Sequence, residues 1–226
     1  LLAIEYLFID RILLKKLVQK ENRELREKLS RDLHDDLAST LGSISIYAET
    51  LKGLKDDTPD GFVKLPVKIA DLTQTALHSI SDIIWMTSPR NDSLHSLASK
   101  ASNYMLEILR DNKIGFRAYI DMPESPVLLQ EKIRNNAFLI LKEAVHNILR
   151  HSGATNVVFR VAMEENVCTI SLKDDGLGMA DNRSAVECPQ GNGLLNMRKR
   201  CQESGIELGI HTQENIGTEI VLRFKI

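Results

Sequence analysis

No stretch of this 226-residue chain offers the run of about 18 apolar residues that a membrane-spanning helix needs. The opening Leu1-Leu-Ala-Ile-Glu-Tyr-Leu-Phe-Ile9 is too short for that, and an initiator methionine is missing. The chain therefore reads as a fragment of a longer protein. Cysteine is scarce. Cys168, Cys188 and Cys201 lack metal-type spacing, and an odd number argues against a disulfide framework, so they read as reduced packing thiols of a cytosolic compartment. A basic excess is also absent: the net charge of -2 gives no electrostatic footprint for direct nucleic-acid binding. Neither Gly-x-x-x-x-Gly-Lys-Ser/Thr nor Gly-x-Gly-x-x-Gly occurs, which sets aside P-loop and Rossmann sites. His146 and His151 stand five residues apart, about 140° around a helix, which spoils zinc binding of the metalloprotease kind. The remainder, 43% hydrophobic and 27% charged, is ordinary globular composition for one large or two small domains.

Polar residues interrupt one helical stretch with regular spacing, Leu141-Lys-Glu-Ala-Val-His-Asn-Ile-Leu-Arg-His-Ser-Gly153. Glu143, Asn147 and His151 recur every four residues, and each such step drifts only about 40° around a helix, so the three share a stripe. Ile140, Ala144 and Ile148 form the apolar stripe beside it. Taken alone, this pattern also describes a surface helix with a polar side. Two glycine clusters downstream add to it. Asp174-Asp-Gly-Leu-Gly178 follows a strand-like run, and Gly191-Asn-Gly-Leu-Leu-Asn-Met-Arg-Lys-Arg200 opens a helix. Glycine lets backbone approach a ligand closely, and amides at a helix start suit phosphate oxygens. A hairpin turn would explain the first cluster and a plain helix start the second.

In order, Glu-x-x-x-Asn, Asp-x-Gly-x-Gly and Gly-x-Gly-Leu resemble the N, G1 and G2 boxes of the ATPase superfamily shared by gyrase, the heat-shock chaperones and sensor histidine kinases. Upstream, residues 1 to about 53 read as one long helix. Leu7, Leu14, Leu17, Leu25, Leu29 and Leu33 keep an approximate three-and-four spacing, and neither proline nor glycine occurs before Gly42. A parallel two-chain coiled coil is the natural partner of that stripe. Within it, Arg31-Asp-Leu-His-Asp-Asp-Leu37 places His34 at the edge of the buried stripe among Asp32, Asp35 and Asp36. A lone histidine among carboxylates is usually solvated or salt-bridged. The run nevertheless resembles the phosphoacceptor box of the histidine-kinase subfamily whose partners are LuxR-type response regulators.

Gly53 and Lys55–Gly61 read as a loop, and Leu65 to about Met86 as a second helix ending before Ser88-Pro89. The expected organisation is a coiled-coil signalling helix over residues 1–29, a dimerisation and histidine phosphotransfer domain over 30–90, and a catalytic ATP-binding domain over 91–226. The fold class follows: an antiparallel helical hairpin forming a dimeric four-helix bundle, then a two-layer α/β sandwich of the Bergerat type. In the last domain the pattern predicts helices at about 93–111, 128–151 and 193–204. Strands are expected at 115–121, 156–163, 167–173, 206–212 and 217–226.

The resemblance implies roles for particular residues. His34 is the phosphorylated group, Asp35 orients or deprotonates it, and Glu143 matches the glutamate that acts as general base in hydrolysing relatives. Asn147 holds Mg2+ against the triphosphate of ATP. Asp174 reads the adenine amine, supported by Thr218, while Gly176 and Gly178 let the chain pass under the base. Gly191, Gly193 and the amide of Leu194 shape the phosphate end, with Arg150 and His151 as further phosphate contacts. The implied partners are a second copy of the chain and a separate receiver domain, and the implied place is the cytoplasm, with the longer protein tethered to the inner membrane. One position departs from the pattern. Close relatives often carry glutamine five residues after the histidine, where this chain has Ser39, and that puts phosphatase activity in doubt. Two rivals stand beside this reading: an ATPase or serine kinase of the same superfamily, and a non-enzymatic coiled-coil adaptor.

Overall fold

The structure, a computed structural model, describes residues 39–51, 59–178 and 192–226. It comprises two compact units that divide between Ser88 and Pro89. His34, Asp35 and Gly191 lie outside the described residues, as do the leucines expected to form the coiled coil.

The first unit is helical. Residues 39–51 form α1 and Pro59–Thr87 form α2, with the Lys68 ammonium 5.5 Å from the centre of the Tyr47 ring to join them. Helix α2 starts six residues before the expected Leu65, inside the segment that reads as a turn. Proline at a first helical position explains this, because its φ is already helical and its missing N–H is one that would lack an intrahelical partner anyway. Leu41, Ile46, Val67, Leu77 and Ile84 are each more than half exposed on this unit, an unusual concentration of apolar surface for two helices.

The second unit runs from a single 3-10 turn at Pro89–Asn91 into α3 (Leu94–Asp111). Ser93 caps α3, its hydroxyl accepting from the Ser96 amide at 3.1 Å. The elements that follow are β1 (Gly115–Asp121), α4 (Glu131–Asn147) continued as a π-helical turn (Ile148–Ser152), β2 (Asn156–Glu164) and β3 (Val167–Asp174). Then come α5 (Asn192–Ser204), β4 (Glu207–Gln213) and β5 (Gly217–Lys225). The sheet order is β1-β2-β3-β5-β4, parallel between β1 and β2 and antiparallel elsewhere.

Alternation sets one face of this sheet into the core. Three rows run across it by register: Phe159, Leu172, Ile220 and Ile210; Val161, Ile170, Leu222 and Leu208; Met163, Cys168 and Phe224. Most of these are buried, whereas Arg160, Lys173 and Arg223 on the other face are exposed. Helix α3 packs on β1 and α4, and α4 on α5, which completes the expected two-layer sandwich. Arg134 of α4 is wholly buried and paired with the Asp92 carboxylate, while the Leu129 amide donates to the Asp92 carbonyl at 3.2 Å. This pair fixes the start of α3 to the start of the helix that carries Glu143 and Asn147.

Candidate active site

The apolar rows of the sheet end in a polar one. Val157 pairs with Asp174, and the register of β3 with β5, carried one step further, sets Asp174 opposite Thr218, which in turn pairs with Thr212 of β4. Asp174 therefore shares the buried face with Leu172 and Ile170, and is itself only 4% exposed. Burial lifts its carboxyl above the ordinary carboxylate value, the amides of Gly176 and Thr218 draw it back, and the charge of Asp175 adds to the rise. The Gly176 amide donates to Asp174 Oδ1 at 2.9 Å.

Glycine is required around this carboxylate because backbone passes so near. Gly217 has φ +123°, and a Cβ there would stand 2.0 Å from the Asp174 carbonyl oxygen. Gly178 has φ +65°, with the Gln213 carbonyl oxygen 2.2 Å from where its Cβ would be. At Gly176 the obstacle is the Ser152 carbonyl oxygen, which a Cβ would meet at 2.4 Å. The loop after β3 hangs from both flanks: the Leu177 amide donates to the Ser152 carbonyl at 2.8 Å, and the Asn215 amide to the Leu177 carbonyl at 2.7 Å.

Asp175, which motif spacing does not single out from its neighbour, is the tether of this loop. Its carboxylate accepts from the amides of Thr155 and Asn156 at 2.8 Å each, from the Thr155 hydroxyl at 2.9 Å and from the Asn156 side chain at 2.9 Å. Desolvation pushes this group up, but the hydrogen bonds from Asn156 and Thr155 outweigh it and hold the carboxyl down at about 2. Thr212 likewise belongs to none of the three boxes; its hydroxyl lies 3.2 Å from that of Thr218. The only local sign of it is a threonine placed symmetrically with Thr218 about the turn between β4 and β5.

Helix α4 carries the other candidate residues. Glu143 and Asn147 are both half-buried, and the Asn147 side chain caps no backbone group. The first turn of α5 rests on Glu143, whose Oε1 lies 2.2 Å from where a Cβ on Gly193 would be. Leu194 follows, half-buried. Through Ser152 with Gly176, and Glu143 with Gly193, the three clusters that are far apart in sequence come together. After Asn147 the helix widens to π geometry over Ile148–Ser152, and both Arg150 and His151 are exposed where Glu143 and Asn147 are half-buried.

A family model described as "Histidine kinase" matches residues 26–91, and one described as "Histidine kinase-, DNA gyrase B-, and HSP90-like ATPase" matches residues 133–226. The chain belongs to the sensor histidine kinases. Among curated relatives, the nitrate/nitrite sensor protein NarX of Escherichia coli K12 is 25% identical over 206 residues, 89% of this kinase chain and 33% of NarX. Sensor protein VraS of Staphylococcus aureus COL is 24% identical over 216 residues, 95% of this chain and 58% of VraS. The chain thus spans a third to somewhat over half of the relatives it matches. Among solved structures, the histidine kinase domain of the Erythrobacter litoralis EL346 blue-light activated kinase aligns with TM-score 0.52 and 18% identity, covering 91% of this kinase and 94% of that chain. Acinetobacter baumannii AdeS aligns with TM-score 0.52 and 13% identity over 84% and 96% of the two chains. These likenesses establish the fold. The second family match lies wholly within the second compact unit and contains Glu143, Asn147, Asp174, Gly193 and Thr218. No helix among the described residues is long and apolar enough to cross a membrane.

Proposed function

We propose that this chain is a kinase core that transfers the terminal phosphoryl group of ATP to a ring nitrogen of His34, from which it passes to an aspartate of a separate receiver protein. The observation that carries the proposal is the polar row at the end of an otherwise apolar face, Asp174 beside Thr218, lying in the same unit as the half-buried stripe of Glu143 and Asn147. A buried, ionised carboxylate accepts hydrogen bonds and donates none, so it selects a ligand that brings a donor, such as the exocyclic amine of adenine. Asn147 presents an uncapped amide whose oxygen suits Mg2+, a hard cation that takes few protein ligands when a triphosphate supplies the rest. The ion's chemistry is to neutralise charge on the transferring phosphoryl group.

In this reading Glu143, whose carboxylate lies against Gly193, polarises the phosphoacceptor. Gly191, Gly193 and the Leu194 amide belong to the phosphate end, with Arg150 and His151 as outer contacts whose exposure makes them weaker candidates than Asn147. Asp35 neighbours the acceptor His34. The proposed domains are residues 1–29, 30–90 and 91–226. The exposed apolar residues of α1 and α2 support pairing with a second copy into a four-helix bundle. A LuxR-type response regulator is the proposed partner, and a membrane tether in the longer protein the proposed location. Ser39, exposed on α1, replaces the glutamine that serves phosphatase activity in relatives, so we expect that activity to be weak.

The test is autophosphorylation with labelled ATP and Mg2+. Acid-labile label on the wild-type chain, absent from His34→Gln and from Asn147→Ala, is the expected result. Acid-stable label that survives His34→Gln would instead identify a serine kinase, and no ATP binding at all an adaptor.

A further inference from the structure

The antiparallel ladder of β2 with β3 ends at the pair Val157 and Asp174, and one step beyond it the Asp175 amide still donates to the Asn156 carbonyl at 3.2 Å. There a side chain takes over from the backbone. Asp175 Oδ1 accepts from the amides of Thr155 and Asn156, and Oδ2 from the Thr155 hydroxyl and the Asn156 side chain, all four at 2.8 to 2.9 Å. An ionised carboxylate only accepts, so the direction of each bond is fixed. We infer that Asp175 is a positioning residue for nucleotide selection, acting through the Gly176 amide on the carboxylate of Asp174, a role that rests on the adenine reading of Asp174.

The route from one carboxylate to the other is short. With its neighbour clasped to the start of β2, the Gly176 amide reaches Asp174 Oδ1 at 2.9 Å, and one residue later the Leu177 amide reaches the Ser152 carbonyl at 2.8 Å. A Cβ on Gly176 would meet the Ser152 carbonyl oxygen at 2.4 Å and Asp174 Oδ1 at 2.8 Å, so the turn has a single close-fitting path. Two amides, those of Gly176 and Thr218, thereby orient a carboxylate that has about four acceptor sites, and the remaining capacity points where they leave it. Asp175 is itself exposed and directed to the opposite side of the strand end, so its effect on a base is indirect. Without its clasp the Gly176 turn is loose, and the Asp174 carboxylate has rotamers to surrender when a donor amine binds. That cost falls on ligands that use the carboxylate. The charge of Asp175 works the other way, since it favours protonated Asp174, and substitution therefore separates position from charge.

The experiment measures binding of two ligands to the whole chain with Mg2+, below the melting transition of each variant: ATP, and the purine riboside triphosphate that carries hydrogen in place of the 6-amino group. For Asp175→Ala we expect ATP to bind about tenfold more weakly and the analogue to stay within about twofold of wild type. Asp175→Asn, whose amide oxygen still accepts from both backbone amides, should restore most of the preference. Asp175→Glu keeps the charge but carries the carboxylate one methylene further out, and should lose the preference as alanine does; it also serves the comparison if the alanine variant does not fold. Autophosphorylation at saturating ATP should keep its wild-type rate in Asp175→Glu while the ATP concentration for half the maximal rate rises, a split that general loss of structure does not produce. Equal weakening for both ligands, an unchanged preference in the alanine and glutamate variants, or a glutamate variant like wild type beside an asparagine variant like alanine overturns the inference. Asp174→Asn separates the role of Asp175 from that of the carboxylate it serves. If it keeps the wild-type preference, the adenine reading itself fails and takes Asp175 with it; if it abolishes the preference while Asp175→Ala and Asp175→Glu do not, the inference about Asp175 alone is wrong.

Discussion

Replacing Gly217 by alanine tests the link between the sheet register and the candidate pocket. Two costs add at this position. The backbone has φ +123°, a region that side-chain-bearing residues rarely adopt, for roughly 1–3 kcal/mol. The new Cβ would also meet the Asp174 carbonyl oxygen at 2.0 Å and the Asp175 Cα at 3.2 Å, and backbone atoms, unlike a side-chain tip, cannot rotate away. Relief requires β5 to part from the end of β3, which separates Thr218 from Asp174. We expect the variant to lose about 3 kcal/mol or more, equivalent to roughly 10 °C in melting temperature for a domain of this size. Gly205→Ala is the matched control, because that residue has φ +68° but nothing within 4 Å of its would-be Cβ, so it carries the conformational cost without the clash. Thermal unfolding of the three proteins, with ATP binding at a temperature where all are folded, measures both effects. Equal destabilisation in the two variants, or Gly217→Ala with undiminished ATP binding, would refute the idea that this glycine holds Asp174 and Thr218 in register.

Two further outcomes concern pH. Asp175 titrates near 2 when folded against an ordinary 3.8, so its contribution is complete above pH 4 and disappears as the pH falls towards 2. After screening by solvent around this exposed group it amounts to about 1 kcal/mol, and Asp175→Ala should flatten that limb of the stability curve in acid denaturation. Asp174 has the opposite sign, since its folded value lies above the unfolded one and ionising it in place costs stability. Asp174→Asn should therefore melt at or above the wild-type temperature near neutral pH while binding ATP poorly. In the wild type, ATP affinity should fall as the pH drops through the raised Asp174 value; a pH dependence identical in wild type and Asp174→Asn would contradict its role as an acceptor.

Local pattern makes much of this molecule legible. Apolar spacing locates α3 and α5 to within a residue at each end, and alternation does the same for the strands, because one buried face dictates both periods. Glu143 and Asn147 are also visible, since they lie in uniform α-helix. His151 is exposed where Glu143 and Asn147 are half-buried, in a π-helical turn that ends at Gly153 in the left-handed conformation, and neither the widening nor the exposure is written in the four-residue spacing. Thr212 escapes a linear reading for a similar reason. Its meaning comes from facing Thr218 across a ladder, and register is a property of paired strands rather than of either one. Asp175 looks like a duplicate of Asp174, but adjacent residues at a strand end point to opposite sides, giving one the buried face and the other the tether.

The loop from Asp174 to Gly178 is suspended between Ser152 and Asn215 by backbone hydrogen bonds, with the Asp175 carboxylate clasping Thr155 and Asn156 beside it. Its conformational entropy is therefore surrendered during folding and not on ligand arrival. If this loop is the floor for the base, as proposed, it is rigid before the nucleotide arrives, and whatever reorganisation accompanies capture is left to other parts of the chain.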